Sequence, residues 1–179
     1  MSKNKNIILG VTASIAIYKA CEIVRRLKEE GYAVTVVMTA EAEELIRPIV
    51  FKSLSGNKVY RGLFDADNRE IEHVSLAEMT DLILIAPATA NIIAKIAAGI
   101  CDDLLTCVVC ATKAPVLLCP AMNENMYLNK ITQENIKKLK AIGYKIIEPV
   151  KGRLACRAVG IGCLAGVDKI VKEIKGILK

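Results

Sequence analysis

Two stretches decide the fold: Leu84-Ile85-Ala86-Pro87-Ala88-Thr89-Ala90-Asn91 and Leu118-Cys119-Pro120-Ala121-Met122-Asn123-Glu124-Asn125. Each is an apolar run that meets Pro-Ala and then a short polar segment containing an asparagine. Proline has no N–H to give a sheet ladder and holds the residue before it extended. Each run therefore reads as a buried strand that ends at its proline.

Working outward, Asn6–Val11 and Ala33–Met38 are similar apolar runs, and shorter ones cover 82–86, 115–119 and 144–147. Between them lie segments of helical length. Ser14 offers an N-cap to a helix whose apolar positions Ala20, Ile23, Val24 and Leu27 follow helical spacing, and Gly31 ends it. Residues 41–46 start a helix that Pro48 breaks, and 51–54 resume it before Gly56. Continuous apolar strands alternating with helices predict a parallel sheet covered on both faces, with right-handed crossovers.

In an open parallel sheet, ligands bind beyond the carboxyl ends of the strands. That rule selects four loops: Val11-Thr12-Ala13-Ser14, Met38-Thr39-Ala40, Pro87-Ala88-Thr89-Ala90-Asn91 and Pro120-Ala121-Met122-Asn123. Small residues, hydroxyls and amides gather at one edge.

A chain of 179 residues fits one domain, 1–179, that needs no staples. No window is long and apolar enough to span a bilayer, and the start of the chain has no secretory pattern, so a soluble protein is expected. Seven cysteines, an odd number in a chain of this size, point to a reducing compartment, the cytoplasm, in place of a disulfide framework. Cys107 and Cys110 have CxxC spacing, but the residues between them are apolar and the chain has one histidine. They read as buried helix packing, and no metal site is expected. The net charge of +6 is spread along helical faces among glutamates, with two phenylalanines and no tryptophan, which excludes a basic, aromatic nucleic-acid surface and leaves a small anionic ligand.

Backbone N–H groups at a helix start, with hydroxyls from Ser14, Thr39 or Thr89, suit a phosphate, although each hydroxyl could equally be a cap. Neither G-x-G-x-x-G nor G-x-x-x-x-G-K-[ST] occurs. His73 is the lone histidine, near the start of a short helix, and is either structural or a proton carrier. Asn91 and Asn123 serve as turn residues or as paired donor and acceptor for a carboxylate or a planar ring edge. Met122 and Met126 are core filler or a soft wall. The segment 151–163, with Arg153, Cys156, Arg157 and several glycines, reads as a mobile loop able to close over a substrate.

These residues resemble the homo-oligomeric flavin-containing cysteine decarboxylases over nearly the whole chain. The match rests on Ser14-Ile15-Ala16-Ile17-Tyr18-Lys19, His73, Pro87-Ala88-Thr89-Ala90-Asn91, Pro120-Ala121-Met122-Asn123-Glu124-Asn125-Met126-Tyr127 and Leu154-Ala155-Cys156. The resemblance implies a three-layer α/β/α, flavodoxin-like and Rossmann-like parallel sheet. It also implies FMN near a subunit interface in trimers or assemblies of trimers.

Carried over position by position, it assigns Ala13, Ser14, Ile15 and Thr39 to the cofactor, together with Pro87, Thr89, Ala90, Asn91 and Ala121. Asn123, Met122 and Ala155 go to the substrate. The implied reaction is oxidation of the cysteinyl part of 4′-phosphopantothenoylcysteine, loss of carbon dioxide, and reduction to 4′-phosphopantetheine in coenzyme A biosynthesis. His73 is the implied acid–base residue of the first half and Cys156 the proton donor of the second. Peptidyl-cysteine decarboxylases, which stop at the enethiol, do not need that cysteine. Flavin prenyltransferases share the sheet but lack the Pro-Ala-Met-Asn and Leu-Ala-Cys pair, and non-catalytic regulatory relatives carry acidic extensions. Ala13, Arg157 and Cys163 depart from glycine, glycine and arginine in many relatives. The synthetase domain fused in many bacteria is expected as a separate phosphopantothenoylcysteine synthetase.

Overall fold

The computed structural model describes residues 5–63, 72–155 and 157–179. Along the chain run β1 (Asn6–Val11), a 3-10 turn (Ile15–Ile17) leading into α1 (Tyr18–Glu29), β2 (Ala33–Met38), α2 (Ala40–Glu43), α3 (Pro48–Ser55), β3 (Val59–Tyr60) and α4 (Glu72–Met79). They are followed by β4 (Leu82–Ala88), α5 (Ala90–Ala98), α6 (Leu104–Ala111), β5 (Val116–Pro120), α7 (Glu124–Leu128) and α8 (Lys130–Ala141). The chain closes with β6 (Lys145–Ile146), β7 (Val150–Arg153), β8 (Val159–Cys163) and α9 (Val167–Ile177). The six-stranded sheet has the order β3-β2-β1-β4-β5-β6 and is parallel throughout.

Side chains alternate across a strand, and the alternation splits the core into two layers. Leu9, Leu84 and Leu117 point to one face, where α1, α3 and α9 cover them with Ile23, Leu27, Phe51 and Ile170. Ile8, Ile83, Ile85 and Leu118 point to the other, beneath α4, α5, α6 and α8. The result is the expected three-layer α/β/α architecture. Gly10 lets α6 lie close on β1, because a Cβ there would come within 2.7 Å of Leu105 Cδ1 and 3.3 Å of Ile85 Cγ1.

Four expectations need correction. β4 does not stop at Pro87: the ladder to β5 breaks after Ile85 and resumes at Ala88, opposite Pro120. Proline removes one ladder donor, and the strand continues because the Pro87 carbonyl takes a side-chain hydroxyl as its partner, Thr12 Oγ1 at 2.7 Å. Pro48 does not merely interrupt a helix; it sits in the first turn of α3, where its missing N–H costs nothing. The segment read as a mobile loop is largely the antiparallel hairpin β7–β8, with register Arg153↔Val159 and Gly152↔Gly160. Finally, Cys107 is half-buried and Cys110 exposed, because Leu104, Leu105, Val108 and Val109 form the buried stripe of α6 and leave both thiols to one side.

Among the described residues no helix is long and apolar enough to cross a membrane, and no group of His, Cys, Asp or Glu is arranged to hold a metal ion.

Candidate functional site

The carboxyl ends of β1 and β4 are fastened together by one buried side chain. Thr12 is 2% exposed; its hydroxyl donates to the Pro87 carbonyl at 2.7 Å and accepts the Thr89 N–H at 3.1 Å. Just beyond it, the Ser14 hydroxyl accepts the Ala16 N–H at 3.4 Å at the start of the 3-10 turn. Thr89 Oγ1 accepts the Ile92 N–H at 3.3 Å and caps α5. Two helix starts, each with a hydroxyl cap, thus stand side by side at the sheet edge.

The loop after β5 supplies the facing wall. Ala121 N–H donates to the Ala88 carbonyl at 3.0 Å, so this loop is keyed to the end of β4. Asn123 caps α7, its Oδ1 accepting the Asn125 N–H at 2.9 Å. The hairpin then closes the third side. Met122 N–H donates to the Gly162 carbonyl at 3.0 Å, and a Cβ on Gly162 would lie 2.2 Å from the Met122 carbonyl oxygen. Gly162 has a φ of 145°, a region in which side chains are strained, so both its space and its backbone require glycine.

These walls enclose a cleft of about 630 Å³, within the size range of small-molecule sites. Ala13, Ser14, Ile15, Thr89, Ala90 and Ala121 line it, as do Met122, Asn123, Met126 and Ala155. The charged residues among the described lining are Lys19, Arg153 and Arg157. None of these three has an ion-pair partner among the described residues. Among the described residues no carboxylate lines the cleft, so the charge they bring to it is positive and suits an anion.

Other expected residues lie apart from it. Thr39 is buried, its N–H donating to the Val11 carbonyl at 3.1 Å, and helps hold the ends of β1 and β2 together. Pro87 is buried and does not line the cleft. Asn91 is exposed on α5 and His73 half-buried on α4, and neither lines this cleft. Cys156 lies outside the described residues.

Thr12 stands in one of the four loops the sequence singles out and Lys19 in the motif that carries the resemblance, but neither has a role legible in the sequence. Lys19 enters the cleft only because α1 begins there, and a threonine in a loop gives no sign that its hydroxyl will be buried between two strand ends.

The family model described as Flavoprotein matches residues 1–179. The chain belongs to the flavoprotein family. Within reach of this family's curated members, it is 48% identical over 174 residues to the coenzyme A biosynthesis bifunctional protein CoaBC of Borreliella burgdorferi, a match that covers 97% of this chain and 45% of that one. The flavoprotein chain thus spans less than half the length of that relative. It is also 44% identical over 174 residues to the probable phosphopantothenoylcysteine decarboxylase of Streptococcus mutans, covering 96% of this chain and 97% of the other. Among solved structures, the FMN-dependent cysteine decarboxylase SpaF superposes with a TM-score of 0.83 at 29% identity, over 94% of each chain.

Proposed function

We propose that residues 1–179 form a single FMN-binding unit that decarboxylates 4′-phosphopantothenoylcysteine to 4′-phosphopantetheine, a carbon–carbon lyase step of coenzyme A biosynthesis in the cytoplasm. The observation that carries this reading is the composition of the cleft. Two hydroxyl-capped helix starts, an asparagine and three cations converge there, and among the described residues these cations have no ion-pair partner and no carboxylate lines the cleft.

That donor set fits FMN, whose phosphate suits the N–H groups and hydroxyls at Ser14 and Thr89. Ala13, Ile15, Ala90 and Ala121 would give the flavin small or apolar surroundings; of the rest of the proposed cofactor set, buried Thr39 and Pro87 would support it through the strand ends they hold, and Asn91 would reach it from a neighbouring copy. When bound, the flavin supplies a reversible two-electron oxidation of the substrate's thiol-bearing carbon. The chain's own residues do the rest. Asn123 donates an amide N–H to the substrate carboxylate and fixes the bond that breaks, with Met122 and Ala155 as walls. His73 holds and moves the proton of the first half, and Cys156 returns one in the second.

His73 and Asn91 both stand outside the cleft of their own chain. This supports a homotrimer, or an assembly of trimers, in which they act on a neighbouring copy. Light scattering on the purified protein tests it; a monomer would remove both residues from the site.

The identity of 44% over nearly the whole of a probable phosphopantothenoylcysteine decarboxylase outweighs 29% to the FMN-dependent cysteine decarboxylase SpaF, and the runner-up reading is a peptidyl-cysteine decarboxylase. Mass spectrometry of 4′-phosphopantothenoylcysteine incubated with FMN-loaded protein decides between them. Phosphopantetheine supports both half-reactions, enethiol alone points to a peptidyl substrate, and untouched substrate overturns the proposal. Cys156→Ser is expected to release carbon dioxide and stall before reduction, and His73→Asn to bind FMN without decarboxylating.

A further inference from the structure

Glu124 follows Asn123 directly, yet it does not line the cleft. Its carboxylate turns toward the hairpin, where Oε1 accepts the Ile161 N–H at 2.9 Å from a residue 37 positions away. Gly160 packs on the same carboxylate: a Cβ there would fall 2.6 Å from Glu124 Cδ, Oε1 and Oε2. On the next residue but one, the Gly162 carbonyl accepts Met122 N–H at 3.0 Å. Strand β8 is therefore seated on residues 122–124 by two hydrogen bonds and two close approaches, one against the Met122 backbone that requires glycine and one against the Glu124 carboxylate that a larger residue would displace. Arg153, Leu154, Ala155 and Arg157, which line the cleft, are carried by this hairpin.

We propose that Glu124 is a positioning residue that sets the β7–β8 hairpin, and with it the turn bearing Ala155 and Arg157, at a fixed distance from Asn123. The proposal rests on the substrate assignment above only for its kinetic readout. A carboxylate suits this task for two reasons. It accepts a charge-assisted hydrogen bond from a backbone amide, and it lies in the first turn of α7, where the helix dipole favours a negative charge. Held by Ile161, the charge stays off the cleft, whose charged lining among the described residues is cationic.

The test compares Glu124→Ala, Glu124→Gln and Gly160→Ala with wild type in the FMN-loaded protein. In Glu124→Ala the Ile161 amide loses its acceptor, and its hydrogen exchange is expected to accelerate roughly tenfold or more, the scale of a charge-assisted bond. KM for the cysteine substrate rises by a similar factor, whereas FMN affinity stays at the wild-type value. Glu124→Gln keeps an oxygen acceptor at the same reach without the charge and recovers a large part of both quantities. Gly160→Ala pushes the carboxylate aside and reproduces Glu124→Ala, and the double variant adds little to either single one.

Unchanged Ile161 exchange in both Glu124→Ala and Gly160→Ala overturns the proposal. So does a fall in FMN affinity that Glu124→Gln fails to rescue, since that marks a general structural role. Absence of turnover in the wild-type protein counts against the substrate assignment alone, because the exchange measurement still decides the role of Glu124.

Discussion

Thr12 and Pro87 are joined by a buried hydrogen bond of 2.7 Å that replaces the ladder contact β4 loses at its proline. The same hydroxyl takes the Thr89 N–H, so one side chain satisfies a donor and an acceptor at the floor of the cleft. Thr12→Val keeps the shape and strands both groups. The expected cost is about 2 kcal/mol, a fall in melting temperature of about 4–8 °C for a chain of this size. Scanning calorimetry checks it, and Thr12→Ser should restore most of the loss.

Gly10→Ala tests how closely α6 lies on β1. The new methyl would meet Leu105 Cδ1 at 2.7 Å and Ile85 Cγ1 at 3.3 Å. Overpacking of this kind costs about 1–3 kcal/mol. Urea midpoints with an unchanged slope are expected; an unaltered midpoint would mean that Leu105 finds another rotamer without penalty.

Arg157 has a φ of 70°, a left-handed conformation that costs an L residue about 1–2 kcal/mol. Arg157→Gly should therefore raise stability by about 1 kcal/mol, less the entropy that glycine brings to the unfolded chain. It removes one of the three cations of the cleft, so inorganic phosphate should compete more weakly with the substrate. Greater stability together with unchanged phosphate competition would detach Arg157 from anion binding.

Tyr127, Glu148 and Lys140 make the stability depend on pH in two windows. Burial works against the Glu148 carboxylate, but hydrogen bonds from Lys140 and Tyr127 outweigh it and hold its pKa below the ordinary 4.5. The unfolded chain takes up that proton first, so this stabilisation is present above about pH 4.5 and is lost as pH falls through the folded value. Burial, then the bond to Glu148, pushes the Tyr127 hydroxyl up to about 12 from 10. Stability is accordingly lost as pH rises from about 10 to 12. Tyr127→Phe should flatten the alkaline arm and make the acid arm shallower, read from urea midpoints across pH.

Much of the fold is legible in the chain. β1 and β2 were readable to the residue because apolar runs stand between polar or glycine punctuation, and the four apolar positions of α1 are all buried. β3 was not readable, because two residues between Lys58 and Arg61 make no pattern. The hairpin was missed for a different reason: its glycines look like hinges, whereas Gly160 and Gly162 are places where another segment comes within touching distance.

The site divides in the same way. Ser14, Thr89 and Asn123 follow directly from where strands end. His73 is chemically conspicuous but lies off the cleft of its own chain. Glu124 is conspicuous in neither respect, since its meaning depends on a strand 37 residues later.

The hairpin enters the chain between β6 and α9 and forms its own two-stranded sheet. Arg153, Gly162 and Cys163, which line the cleft, belong to that hairpin and not to a strand of the central sheet. Substitutions in its turn can alter what the cleft admits without disturbing the register below, whereas the same number of changes after β1 or β4 would loosen Thr12 and its partners. That side of the cleft can therefore be reshaped while the joint that Thr12 makes between the ends of β1 and β4 stays intact.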